Sequence, residues 1–238
     1  MYSDLNFIIL GKILEQVSGQ DLSIFLREEI FAPLGMRETG FLLKVKRDNF
    51  VKTEITKERG QVWGNVHDET AWQMGGLAGH AGLFSTLDDL ARFSSFYLTT
   101  ASPLVAGLFD YDCFERTLAW IRWQKGRRFL WHSGFTGPGL GLDLENGRAL
   151  VILASSVYPK RGNEAWLLAR RQAANTFFGG GYREEKQEYI VDKCKPCCKI
   201  VFAKVTDVNE EEGNERRLPD FRRGMAGYAG RLDPGPGK

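Results

Sequence analysis

Between Thr117 and Ala154 the apolar residues repeat every second position, and this change of period constrains the chain more than any other feature. Leu140, Leu142 and Leu144 alternate with Gly141, Asp143 and Glu145, the pattern of a strand with one face buried. Asn146-Gly147 is a strong hairpin signal, and the apolar run Ala149 to Ala154 that follows has strand length. Thr117 to Gln124 and Arg128 to His132 read as two further strands. On both sides of this meander the period is helical. Leu5, Phe7, Ile8, Ile9, Leu10, Ile13, Leu14 and Val17 predict a helix whose apolar surface exceeds a single stripe, hence a deeply packed one. Asp21 opens a second helix carrying Leu22, Phe25, Leu26 and Ile30, which Pro33-Leu34-Gly35 ends. Residues 37–65 show no clean period and read as loop. Ser85-Thr86 starts a helix with Leu90, Phe93, Phe96 and Tyr97 at helical spacing, and another follows Asn163. Helices, an antiparallel meander and a closing helix make an α+β layer, with helices flanking the sheet.

The 238 residues divide at a change of character. Residues 1–180 carry the periodic segments and form one domain. Residues 181–238 form a charged tail: from 183 onward there are 12 basic and 11 acidic side chains, and the last fifteen residues include five glycines and two prolines. Only Ile200 to Val205 within it reads as a strand; the rest is expected to be disordered, because it holds too little apolar surface to offset its ordering entropy. A net charge of +2 excludes nucleic acid as the main partner. No apolar run reaches the length of a bilayer-spanning helix, and no basic n-region marks a secretory signal.

Three chemistries can be weighed from residue types. A phosphate loop is disfavoured: the glycine-rich stretch Gly75 to Gly82 lacks a Gly-Lys-Ser/Thr ending, and Gly137-Pro138-Gly139-Leu140-Gly141 lacks the final glycine of a dinucleotide fingerprint. Tight turns with close backbone approach are the preferred reading of both. Zinc could use His67, His80 and His132, but no His-Glu-x-x-His helix is present, and Cys194, Cys197 and Cys198 have no second cysteine pair to complete four ligands. No metal and no cofactor are expected. Tyr2-Ser3-Asp4 before a helix and His132-Ser133-Gly134 at a strand end each mean little alone.

Together with the sequence between them they mean more. The run "YSDLNFIILGKILEQVSGQDLSIFLREEIFAPLGMRETGF", the segment "GNVHDETAWQMGGLAGHAGLFSTLDDLARF" and "WHSGFTGPGLGLD" occur in this order over residues 1 to about 178. This resembles the serine hydrolases related to class C β-lactamases and penicillin-binding D-alanyl-D-alanine carboxypeptidases, a family that also includes esterases. The resemblance implies a β-lactamase/transpeptidase-like fold, here incomplete. It also implies cleavage of an amide or ester through an acyl-serine, with a peptidoglycan peptide, β-lactam or small ester as the substrate partner. Tyr2 takes the position of the base that deprotonates the nucleophile. Asp4 stands where the family has an asparagine that contacts the substrate amide. His132-Ser133-Gly134 matches the edge-strand triad that binds the substrate carboxylate, and the Phe135 N–H would be an oxyanion donor.

The resemblance has one gap. The family's nucleophile lies in Ser-x-x-Lys ahead of the tyrosine, and no serine of this sequence has lysine three positions later. The chain as written is therefore expected to be inactive, with a non-catalytic ligand-binding or assembly protein as the alternative. Tyrosine, with a pKa near ~10, needs nearby cations to act as a base at neutral pH, and His132 replaces the lysine common on the strand. In the family, strands from ahead of Ser-x-x-Lys lie beside the one matching 149–156. That strand is expected to expose an open edge and to favour self-association. Full-length relatives are often exported, and the compartment stays open.

Overall fold

The computed structural model describes residues 3–111 and 115–180, together with the backbone of a strand at 199–204. Tyr2, the three clustered cysteines and the rest of the tail lie outside the described residues. The N-terminal part holds α1 (Leu5–Ser18) and α2 (Leu22–Leu26), which runs on as a π-helical turn, Arg27–Phe31. Short pieces follow: β1 (Gly40–Phe41), β2 (Ile55–Thr56), β3 (Gly60–Gln61), α3 (Glu69–Gln73) and β4 (Leu83–Phe84). Then come α4 (Leu87–Thr99) and α5 (Pro103–Ala106). The meander is β5 (Arg116–Thr117), β6 (Trp120–Arg122), β7 (Phe129–Ser133), β8 (Gly139–Asp143) and β9 (Arg148–Leu153), followed by α6 (Glu164–Phe178) and β10 (Lys199–Lys204). These last six strands form one antiparallel sheet in the order β10-β9-β8-β7-β6-β5.

Local chemistry sets the helix starts. The side chains of Thr86 and Asn163 accept hydrogen bonds from Asp89 N and Trp166 N, capping α4 and α6 as their sequences predict. The helices then sandwich the sheet. Phe129, Trp131, Leu150 and Ile152 pack with Trp166, Phe177 and Phe178 of α6. Leu130, Leu142 and Ala149 point to the other face and pack with Val105 and Leu108 and the α4 aromatics.

Three expectations need correction. First, β8 is buried on both faces: Gly141, Leu142 and Asp143 are all buried, because α6 covers the side that alternation assigns to solvent. Second, α1 forms over the expected residues, but its packing is shallow. Only Gly11 is buried, and Leu5, Ile9, Ile13 and Val17, an i,i+4 stripe, are each 48–57% exposed. α1 packs on α2, and its Gly11 meets the backbone of Gly79. Third, β9 has no open edge. β10 pairs with it along its whole length, from Lys199 opposite Leu153 to Lys204 opposite Arg148, so self-association has no template there. The predicted strand at 200–205 is thus present, one residue earlier, as the terminal strand of the sheet.

Candidate active site

In the turn that follows β7, the carbonyls of Gly134, Thr136, Gly137 and Pro138 are each held by hydrogen bonds. Gly134 O and Pro138 O accept from Arg170 Nη1 at 2.8 and 3.0 Å. Thr136 O accepts from Ser156 N at 2.7 Å and from Ser156 Oγ at 3.2 Å. Gly137 O accepts from Trp166 Nε1 at 3.0 Å, and Pro138 O also accepts from Gly134 N at 2.9 Å. Gly137 has φ 125°, and a Cβ there would meet Ser156 N at 2.9 Å and Ala154 O at 3.0 Å, so only glycine suits the turn. With the carbonyls turned inward, the N–H groups of Phe135 and Thr136 donate to no described residue. Two adjacent free donors at a strand end suit an anion or a developing oxyanion.

His132-Ser133 precedes this turn. The strand is not the sheet edge that the resemblance implies, because β6 and β5 lie beyond it. However, β6 pairs with β7 only at Leu130 and Trp131, so the side of β7 from His132 onward is free of strand partners toward β6. The His132 ring leans edge-on against Trp120, with centroids 6.4 Å apart, while part of the residue stays exposed. Desolvation of that ring, and then the charge of Arg116, push the His132 pKa below its ordinary value. The native state thus holds this proton less tightly than the unfolded chain. The stability it contributes is complete above pH 6.5 and is lost as pH falls through the lower native value. The expected NMR titration midpoint of the His132 ring is below 6.5, and Arg116→Ala raises it. A midpoint at or above 6.5 in the unaltered chain would contradict this.

Phe135 is 67% exposed, yet its ring is engaged. His67 stacks on it at 5.7 Å with an interplanar angle of 26°, and Arg161 Cζ lies 5.3 Å from its centroid. Glu54 Oε2 joins the two, 2.8 Å from His67 Nε2 and 2.8 Å from Arg161 Nε. Burial raises the Glu54 pKa, but hydrogen bonds from Arg161 and His67 outweigh it and hold the carboxyl below its ordinary value. An ionised carboxylate only accepts, so His67 Nε2–H donates. Arg161 also pairs with Glu69, and Arg59 holds the carbonyls of Val66 and His67.

The next residue, Asp68, serves the other side. Its Oδ1 caps α3 by accepting from Ala71 N at 2.8 Å, and it lies 2.9 Å from His80 Nε2. Burial raises the Asp68 pKa; the Ala71 N–H and His80 more than reverse this. Asp4, at the start of α1, brings an oxygen into the same group, where the potential ligand atoms of Asp4, Asp68 and His80 lie within 4.8 Å of one another. This is the one group among the described residues with the donor set for a cation, and Asp68 already serves two N–H groups within it. His67, His80 and His132 do not converge, so the three-histidine zinc reading fails. His67 faces Glu54 and Phe135, His80 faces Asp68, and His132 faces Trp120.

No described hydrogen bond joins Asp4 to residues 132–135. The link between them is the pair His67-Asp68, consecutive residues about 3.8 Å apart at Cα, one touching Phe135 and the other the Asp4 group. Tyr2 lies outside the described residues. Glu54, Asp68, Arg161 and Arg170 carry no site role in the sequence reading, and His67 and His80 enter it only as candidate zinc ligands. The segment "GNVHDETAW" was legible as family-like, but its partners were not: Glu54 and His80 lie 13 and 12 residues away, and Asp4, Phe135 and Arg161 lie farther.

A family model described as Beta-lactamase matches residues 1–174. The chain belongs to the β-lactamase family. Its α+β architecture, an antiparallel sheet with helices on both faces, is the fold expected from that relation. Among curated relatives, a Salmonella typhi protein with the provisional name D-alanyl-D-alanine carboxypeptidase is 36% identical, over 81% of this chain and 52% of its own length. A protein of Escherichia coli O157:H7 with the same name is 42% identical over 65% and 44%. The chain spans between a quarter and about half of the length of such relatives. Among solved structures, a β-lactamase from Mycobacterium bovis is 21% identical over 75% of this chain and 64% of its own, with a TM-score of 0.49. A penicillin-binding protein homologue from Pyrococcus abyssi is 18% identical over 76% and 43%, with a TM-score of 0.41.

Proposed function

We propose that this chain supplies the substrate-binding wall of a β-lactamase-family serine hydrolase that acts through an acyl-serine on amides or esters. Terminal D-alanyl-D-alanine of peptidoglycan is the substrate class favoured over β-lactams and small esters, in keeping with the relatives' names. The observation that carries the reading is the β7–β8 turn, with four of its carbonyls held and its Phe135 and Thr136 N–H groups donating to no described residue, beyond His132-Ser133. The two N–H groups would hold the oxygen of the scissile carbonyl as it gains charge. His132 and Ser133 would meet the substrate carboxylate. Desolvation, and then the charge of Arg116, lower the His132 pKa from its ordinary value, so it would act at neutral pH as a hydrogen-bonding group, not as a fixed cation.

The sequence contains no Ser-x-x-Lys, so the chain itself is read as binding without acylating. A ligand-binding protein without catalysis has the same observation in its favour. The test uses the ¹⁵N-labelled chain. Titration with D-alanyl-D-alanine should shift the Phe135 and Thr136 amide resonances, and a fluorescent penicillin and a fluorophosphonate should leave every serine unlabelled. Shifts that avoid the turn would remove the binding-wall assignment, and stable labelling of any serine would remove the claim that the chain does not acylate.

A further inference from the structure

We infer that Arg170 is a positioning residue that sets the direction of the Phe135 N–H. The inference rests on the reading of that N–H as the oxyanion donor, and it names what aims it.

The peptide unit between Gly134 and Phe135 is planar. Gly134 C=O and Phe135 N–H belong to one trans peptide unit, so they point in opposite directions, and whatever holds the carbonyl fixes the N–H. Arg170 Nη1 holds Gly134 O at 2.8 Å from the α6 side of the turn, and the Gly137 N–H donates to the same oxygen at 3.2 Å from within it. The N–H is thereby directed away from α6, toward the exposed face. A flip of this one peptide would present the Gly134 carbonyl to the substrate and withdraw the donor. Glycine at 134 resists such a flip little, since it has no Cβ to restrict its backbone.

The same nitrogen also donates to Pro138 O at 3.0 Å, so one group bridges both arms of the turn. One helical turn earlier, Trp166 Nε1 donates to Gly137 O. Residues 166 and 170 share a helix face, so α6 grips three carbonyls of the turn through two side chains. The Arg170 guanidinium faces backbone carbonyls there and meets no carboxylate among the described residues. On the exposed side, His67 and Arg161, joined by Glu54, lean on the Phe135 ring and oppose rotation of the residue from its other end.

The experiment measures N–H direction directly, by ¹H–¹⁵N residual dipolar couplings in the ligand-free chain, for the unaltered protein, Arg170→Met and Arg170→Lys. In Arg170→Met the Phe135 coupling should change while those of Leu130 and Leu142, inside the sheet, stay the same. Lysine keeps the charge and one flexible donor without the planar fork, so Arg170→Lys should restore part of the original coupling. In parallel, the affinity for D-alanyl-D-alanine should fall roughly tenfold in Arg170→Met, the scale of about one lost hydrogen bond to a charged group. A Phe135 coupling unchanged in both variants would overturn the inference, whatever the ligand does. If Arg170→Met does not fold, Arg170→Gln takes its place in the same measurement, with the same outcomes. If the dipeptide fails to perturb the unaltered chain, the proposed function falls, and the couplings still decide the role of Arg170.

Discussion

Gly79→Ala is expected to destabilise the protein by about 3 kcal/mol or more, the upper range for forcing atoms into a packed site. A Cβ built on Gly79 falls deep inside van der Waals contact with the carbonyl oxygen of Phe7, and lies 3.2 Å from Gly11 Cα. Both neighbours are backbone of α1, so no side-chain rotation relieves the clash. Gly11 is the one buried residue of that helix, and this glycine-on-glycine contact sets how closely α1 approaches the 78–81 segment. Pushing α1 away also pulls Asp4 from Asp68 and His80. For a domain of this size the loss corresponds to about 6–12 °C in Tm. Gly75→Ala is the control: its φ is 88°, but the space around it is open. That change should cost only the left-handed penalty, about 1–2 kcal/mol. Thermal and urea unfolding of both variants gives the comparison, and equal losses would refute the steric account.

Asp143→Ala is the second change with a large expected effect, about 3 kcal/mol. Removing one partner of a buried ion pair typically costs about 3–5 kcal/mol, and the lower end applies because Arg148 is partly exposed. Asp143 is fully buried and accepts from Arg148 Nη2 at 2.5 Å and from the Asn146 backbone and side chain. Arg148 in turn donates to Phe177 O and lies over the Phe177 ring, so the carboxylate ties the β8–β9 hairpin to the end of α6. Burial raises the Asp143 pKa, but Arg148 and Asn146 outweigh it and hold it below 3.8. The proton-linked part of its stability is therefore complete above the ordinary aspartate value and is lost as pH falls through the lower native one. Asp143→Asn keeps the shape and removes the charge. It should be milder than alanine at pH 7 and should flatten the acid limb of the stability curve. An unaltered acid limb in Asp143→Asn would count against Asp143 as its source.

These two sites show what the sequence could and could not disclose. Period and capping residues were enough to place α1, α4, α6 and the strands β7 to β9, because each depends on neighbours within a few positions; the single strand expected at 117–124 is instead the hairpin of β5 and β6. The motif His132-Ser133-Gly134 stood out only through the family resemblance. Burial of Asp143 was not, since alternation reports one covered face and cannot say that α6 returns to cover the other. The exposed stripe of α1 was not legible either: apolar periodicity states which residues need a partner, not whether a partner reaches them. Arg170 and the Glu54–His67–Arg161 group lay beyond reach for a third reason. Ordinary charged residues acquire their roles only when folding sets residues 54, 67, 135 and 161 around one ring, and 134 and 170 at one hydrogen bond.

The pairing of β10 with β9 has a consequence in time. Lys199 is synthesised about 45 residues after Leu153, so a growing chain completes the buried strand Leu150-Val151-Ile152 well before the segment that covers its edge exists. At about 5–20 residues per second the interval is about 2–9 s. During it, a row of unpaired N–H and C=O groups on an apolar strand is open to any other extended chain. Nascent chains on one messenger sit close together and share this exposed state, so the rate of translation between codons 154 and 199 bears directly on how much soluble protein a cell recovers.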